Sequence, residues 1–309
     1  MIQTIWATCK DAGGSRGIVP VVQVLRQLGY QVPLFVEGQT ADFVLSHGEK
    51  DFTVQVSAEQ IMVDHHLPDL LVTDMASTGL SLGQNLIPLL RGKSPVVALQ
   101  DYWGGCLNTN WSDLQYRPDF ICVNDKVGAR IVRDAWTEFP ESHIGVQGYP
   151  ALDRYHNYDT KGIAAEIRLA LAIPPDMPIV LYAGQWHQSG AMLYQLVAAL
   201  NTLGRPVCLI PRMHPVMKEQ SPEEIPKWEK ATSNFSNGQI HTDTSSHDIS
   251  LLIAAADIVV SMFSTVLVEA AVLRKPNISM LYPVIQTIFA GQYRSFNERG
   301  ATSGIRLLG

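Results

Sequence analysis

The sequence predicts two doubly wound α/β domains, each a largely parallel sheet with helices on both faces. Three observations point there. Short apolar runs alternate with stretches of helical period along the whole chain. The apolar runs are near-continuous, as strands covered on both faces must be. Gly148-Tyr149-Pro150 interrupts the alternation near the middle of 309 residues, a length that suits about two domains of ~150 residues. The expected division is 1–150 and 151–309.

The elements follow in order. Thr4–Ala7 reads as a first strand, and Asp11-Ala12-Gly13-Gly14-Ser15 as a glycine-rich loop after it. Ile18, Val21, Val22, Leu25 and Leu28 then share one helix face, and Gly29 stops that helix. Further strands are expected at Gln31–Val36, Leu70–Thr73, Val96–Leu99, Phe120–Val123 and Ile144–Gln147, with helices at Leu80–Leu90 and Lys126–Trp136. After the break, strands are expected at Ile179–Tyr182, Val207–Ile210, Ile258–Val260 and Asn277–Met280. Helices are expected there at Ala191–Leu203, His247–Ala254 and Ser264–Leu273. No capped helix follows Ile305–Gly309, which suggests a second domain cut short at its end.

Composition narrows the function. With 46% hydrophobic and 17% charged residues the chain is an ordinary globular one, not a disordered one. The net charge of −6 argues against nucleic acid as a partner. The acidic excess lies in residues 1–150, while 151–309 is balanced, so the second half is the better home for a phosphate-bearing ligand. Cys9, Cys106, Cys122 and Cys208 form no C-x-x-C pair, which suggests free thiols rather than zinc or redox chemistry. The N-terminus has no apolar signal segment, and no run of ~18 apolar residues occurs. A cytoplasmic protein fits these features. The neighbours His65 and His66, beside Asp64, point apart and find no third ligand in register, so no metal site is expected.

Ligands of open α/β sheets bind beyond the carboxyl ends of the strands. The segments that follow strands are therefore the candidates. In Ala256–Met280, Ser261 and Ser264 stand where a helix begins, and a helix N-terminus attracts phosphate. Glu269 lies four residues after Thr265, on the same helix face, where a carboxylate could accept hydrogen bonds from ribose hydroxyls. The alternative is that the serines only cap the helix and Glu269 is a solvated charge. Leu99-Gln100-Asp101-Tyr102-Trp103 also follows a strand. Asp101 is the candidate base for an acceptor hydroxyl, with Asp74 a second acidic candidate, and Tyr102 and Trp103 could stack on a sugar or lipid. A strand-end aspartate capping a turn is the plainer alternative.

These segments resemble the GT-B glycosyltransferases and their relatives. The likeness rests on Ser261–Thr265, Glu269-Ala270 and Arg274-Lys275-Pro276, the donor-site signature of that superfamily. Arg212-Met213-His214-Pro215 resembles the Arg-x-His-Pro of bacterial CDP-glycerol glycerophosphotransferases. Gly148-Tyr149-Pro150 with Asp153 resembles the hinge before the second domain. The resemblance implies two Rossmann-like domains facing a cleft, the donor held by the second. It implies donor contacts from Gly184, His187, Arg212, His214, Ser264, Thr265 and Glu269, with Gly184 admitting phosphate close to the backbone. It places the acceptor at Gly13, Gly14, Tyr102 and Trp103.

The implied activity is transfer of a sugar or glycerol phosphate from a nucleotide-diphosphate donor to an acceptor hydroxyl, without a cofactor or metal. The partner is then a nucleotide-sugar or nucleotide-diphospho-glycerol. An acceptor at a membrane surface, reached by peripheral association, stays open, although no basic amphipathic helix stands out. The sequence departs from the glycerophosphotransferases at Trp103-Gly104, where that family carries Trp-His-Gly. UDP-N-acetylglucosamine 2-epimerase-like chemistry and a non-catalytic binding subunit are the alternatives on the same fold. The epimerases' His-Arg-rich motif is absent from Gly184–Gln188.

Overall fold

Asp11 accepts a hydrogen bond from the Gly14 N–H at 2.8 Å and so starts a helix directly after the first strand. This arrangement comes from a computed structural model, which describes residues 2–55, 57–76, 79–101, 103–215, 217–280 and 306–308 (Gln39 and 306–308 by backbone alone). The chain divides into two compact units, Met1–Arg154 and Tyr155–Gly309.

The first unit holds strands β1 (Ile5–Cys9), β2 (Leu34–Val36), β3 (Thr53–Val54), β4 (Leu70–Asp74), β5 (Val96–Leu99), β6 (Phe120–Val123) and β7 (Ile144–Val146). Its helices are α1 (Ala12–Gln27), α2 (Ala41–Ser46), α3 (Ala58–Asp64), α4 (Leu82–Leu90) and α5 (Lys126–Ala135). The strands form one parallel sheet in the order β3-β2-β1-β4-β5-β6-β7. Ala7 of β1 pairs with Leu34 on one side and Val72 on the other. The chain order therefore reverses between β1 and β4, and in such sheets that is where a crevice opens at the carboxyl edge. Ile18, Val19 and Val22 of α1 bury their side chains with Ile5, Ala7 and Val72 of the sheet.

The second unit repeats the plan. Strands β8 (Ile179–Ala183), β9 (Val207–Arg212), β10 (Gly238–Ile240), β11 (Ile258–Ser261), β12 (Asn277–Met280) and β13 (Arg306–Leu308) lie parallel in the order β10-β9-β8-β11-β12-β13. Helices α6 (Thr160–Ala170), α7 (Ser189–Asn201), α8 (Met217–Gln220), α9 (Glu224–Ser233), α10 (Ile249–Ala255) and α11 (Val266–Val272) connect them. Here the order reverses between β8 and β11. Both sheets are Rossmann-like, as the alternation of apolar runs and helices predicts.

Several expectations need correction. Gly13 and Gly14 are not loop residues; they form the first turn of α1, because the Asp11 cap lets the helix begin at once. The strand expected at Gln31–Val36 is regular only from Leu34, with Gln31 forming an isolated bridge to Thr4. Strands β3 and β10 and helices α2, α3, α6, α8 and α9 were not expected. β3 and β10 are only two and three residues long, and α2, α3 and α8 only six, seven and four, too short for a periodic pattern to stand out. All four cysteines are unpaired thiols.

Candidate functional site

In the first unit the carboxyl ends of β1, β4 and β5 bring Lys10 and Asp11, Asp74, and Gln100 and Asp101 to one edge of the sheet. Asp74 is 1% exposed, and its Oδ2 accepts the Lys10 backbone N–H at 3.0 Å. Burial first, and then the nearby Asp11 and Glu37 carboxylates, together push its carboxyl up to about 8 against the opposing Lys10 hydrogen bond. This carboxyl holds a proton where others have lost theirs.

The two glycines explain themselves against these acids. A Cβ on Gly14 would overlap the Asp74 carboxyl, and one on Gly13 would stand 2.7 Å from Asp101 Oδ2. The Gly13-Gly14 pair thus lets two carboxyl groups lie flush on the first turn of α1. The structure brings together four of the sequence candidates, Gly13, Gly14, Asp101 and the second acidic candidate Asp74. Asp101 is buried but reaches this edge from β5.

Trp103 does not present the open stacking face expected of it. It is 1% exposed and packs edge-on to Tyr149 at 6.3 Å, and the Tyr149 hydroxyl donates to the Gly13 carbonyl at 3.4 Å. Burial of that large ring stabilises the segment more than exposure would. Tyr102 lies outside the described residues. His65 stacks edge-on with Phe35 at 5.0 Å and with Trp6 at 6.2 Å, an aromatic packing role. Among the described residues no three His, Cys, Asp or Glu side chains converge as a metal site would require.

In the second unit β8, β9 and β11 end side by side, with Ala183 in register with both Arg212 and Ser261. The Gly184 N–H donates to the Arg212 carbonyl at 2.9 Å, and the Ser261 hydroxyl donates to the Ala183 carbonyl at 2.5 Å. Gly184 has a packing reason to be glycine. A Cβ there would stand 2.6 Å from both the Ser189 hydroxyl and the Trp228 ring. The side on which a Cβ would stand is filled by those side chains.

Arg212 is half-buried at the tip of β9 and donates from Nη1 to the Thr244 carbonyl. Burial lowers its basicity, while Asp248 and Asp243 raise it. His214, two residues on, is also half-buried. His187 lies on the loop between β8 and α7, its Nδ1 2.8 Å from the Ser221 hydroxyl.

After β11 the chain turns into α11. Ser264 Oγ accepts the Val266 N–H, the first amide of α11, at 3.3 Å, and Thr265 is the residue at the helix start. Glu269 is 6% exposed and accepts a hydrogen bond from the Tyr155 hydroxyl. It is a buried, engaged carboxylate and not a solvated one. The second unit therefore collects Gly184, His187, Arg212, His214, Ser264 and Thr265 along the carboxyl edge of one sheet, with Glu269 one helical turn further. Ser221, Thr244 and Tyr155 had no sequence signal, since each meets its partner only through the fold.

Similarity to known proteins agrees with this geometry. No protein with a curated description matches the chain. Among solved structures, UDP-N-acetylglucosamine 2-epimerase from Rickettsia bellii matches with a TM-score of 0.65 at 14% identity, covering 98% of this chain and 95% of that one. Acinetobacter baumannii MurG matches with a TM-score of 0.61 at 13% identity, covering 99% and 85%. A variant of the wall teichoic acid polymerase TagF soaked with CDPG matches with a TM-score of 0.58 at 17% identity, covering 95% and 73%. At such identities these likenesses establish the fold, which is GT-B-like. The sequence profile of the CDP-Glycerol:Poly(glycerophosphate) glycerophosphotransferases matches residues 38–285, most of the chain. The protein belongs to that family.

Proposed function

We propose that the protein is a transferase that moves glycerol phosphate from a nucleotide-diphosphate donor to an acceptor hydroxyl. The observation that carries this reading is the family match over 38–285, which includes the carboxyl-edge residues of β4, β5, β8, β9 and β11. Electrostatics supports the division of labour. The carboxyl groups of Asp11 and Asp101 stand at the first turn of α1, which disfavours a phosphate there. The second unit offers Arg212, His214 and His187 at the corresponding edge, so it is the donor unit.

The acceptor oxygen forms a bond to the phosphorus of the glycerol phosphate. The bond from that phosphorus to the leaving nucleoside monophosphate breaks, and the hydroxyl proton passes to Asp101. Arg212, His214 and His187 hold the charge that grows on the leaving phosphate, with Ser264 and Thr265 beside them. Glu269 accepts from the ribose hydroxyls, steadied by Tyr155. A sugar as the transferred group would use the same proton path, with a nucleoside diphosphate leaving.

Thermal shift against CDP, UDP, GDP and dTDP tests the donor assignment, on wild type and on Glu269→Ala. A ligand selective for the folded state raises the melting temperature. The expected result is a shift with CDP that is lost in the variant. No shift with any nucleotide at millimolar concentration removes the donor assignment.

A further inference from the structure

Among the described residues, His187 has polar contacts at only one of its two ring nitrogens. Ser221 Oγ stands 2.8 Å from Nδ1, and the Glu223 carboxylate 3.8 Å from the same nitrogen. The Trp186 ring packs against the imidazole with centroids 4.0 Å apart. Among the described residues none reaches Nε2, and the side chain is 37% exposed.

Ser221 is built for this contact. It is fully buried, its N–H donates to the Met217 carbonyl at 3.0 Å, and its own carbonyl accepts the Glu224 N–H at 2.9 Å. A hydroxyl fixed on both backbone sides and directed at a single ring nitrogen is not an incidental surface contact. The loop carries a second mark. Gln188, directly after His187, adopts the left-handed conformation at φ 56°, which a non-glycine residue seldom holds without cause.

The two nitrogens of an imidazole are distinct, and the partner of one decides what the other can do. We infer that Ser221 and Glu223 are positioning residues, holding His187 by Nδ1 so that Nε2–H is offered to a phosphate oxygen of the nucleotide donor. The inference rests on the donor role proposed above for the second unit. An anionic oxygen at Nε2 requires the proton on that nitrogen. The ring then has either a lone pair or a second proton at Nδ1. A serine hydroxyl can donate to the first or accept from the second, so it serves both states. A carboxylate has no proton to give, so Glu223 can pair only with an Nδ1 that carries one.

Nitrogen-15 NMR of the histidine rings tests this, with His187→Gln used to assign the signals and CDP as the probe. In wild type, CDP is expected to shift Nε2 of His187 and leave Nδ1 in place. Ser221→Ala is expected to replace the single nitrogen pattern by an averaged mixture of tautomers and to weaken CDP about tenfold, the loss of one hydrogen bond's worth of orientation. Glu223→Gln, at a largely exposed carboxylate, keeps the fold and is expected to move the Nδ1 signal, so the test survives if the serine variant does not fold. An unchanged nitrogen pattern in both variants overturns the inference, as does CDP binding that leaves Nε2 unmoved. A wild type that binds no nucleoside diphosphate removes the donor role instead. The unliganded patterns still decide whether Ser221 holds Nδ1.

Discussion

Gly14 has no freedom to be anything larger, because the space of a Cβ is occupied by the Asp74 carboxyl. Gly14→Ala is therefore expected to cost about 1–3 kcal/mol, the usual penalty of overpacking, read by chemical denaturation. Asp74 itself makes a pH prediction whose sign is unusual for a carboxylate. Its folded value is raised to about 8 from the ordinary 3.8. Below pH 4 both folded and unfolded chains hold the proton. Between pH 4 and 8 the unfolded chain releases it while the folded chain keeps it, so stability falls as pH rises through this window and levels off above it. Asp74→Asn, which keeps an acceptor for the Lys10 N–H, should remove that fall. Denaturation curves of the two proteins at pH 5 and pH 8 check this: their stability difference should grow with pH in favour of the variant.

Helices α7 and α9 depend on a second close approach. A Cβ on Gly190 would lie 2.6 Å from Lys227 Cβ and 3.1 Å from the Trp228 backbone nitrogen. The Gly190 N–H donates to the buried Glu224 carboxylate at 2.8 Å, which also accepts from Lys227 Nζ at 2.7 Å. Gly190→Ala should push the two helices apart and cost about 1–3 kcal/mol, with near-UV circular dichroism from Trp228 reporting the shift. At this scale the sequence was readable where apolar pattern decides. The strands β5, β6 and β12 fall where Val96–Leu99, Phe120–Val123 and Asn277–Met280 were expected. It was unreadable where a side chain from elsewhere decides. Gly13-Gly14 reads as a loop because nothing local reveals that Asp11 caps a helix and that Asp74 and Asp101 fill the glycine space. The packing constraint on Gly184 stays hidden because Trp228 is 44 residues away. Trp103 reads as a stacking surface because its burial against Tyr149 is a tertiary fact.

For the molecule as a whole, two Rossmann-like parallel sheets were legible from the alternation of apolar runs and helices, while their strand order was not. The family was legible from Arg212-Met213-His214-Pro215 and the Ser261–Pro276 segment, because those residues follow strands and keep their spacing. The partners that orient them were not, since Thr244, Ser221 and Tyr155 come from separate stretches of chain. Two units with separate cores also predict how the protein unfolds. Substitutions at Gly14 and Gly190 lie in different units, so their costs should add within a few tenths of a kcal/mol in the double variant. Denaturation of the single and double variants checks it.

Donor-dependent transfer to a hydroxyl is read by CMP release from CDP-glycerol, measured with and without a glycerol-phosphate oligomer as acceptor. Release should require the acceptor and fall at least about a hundredfold in Asp101→Asn and in Arg212→Ala, the scale of losing a general base or a charge-stabilising group. No release from the folded wild type, or release that is indifferent to acceptor and to both substitutions, would contradict it.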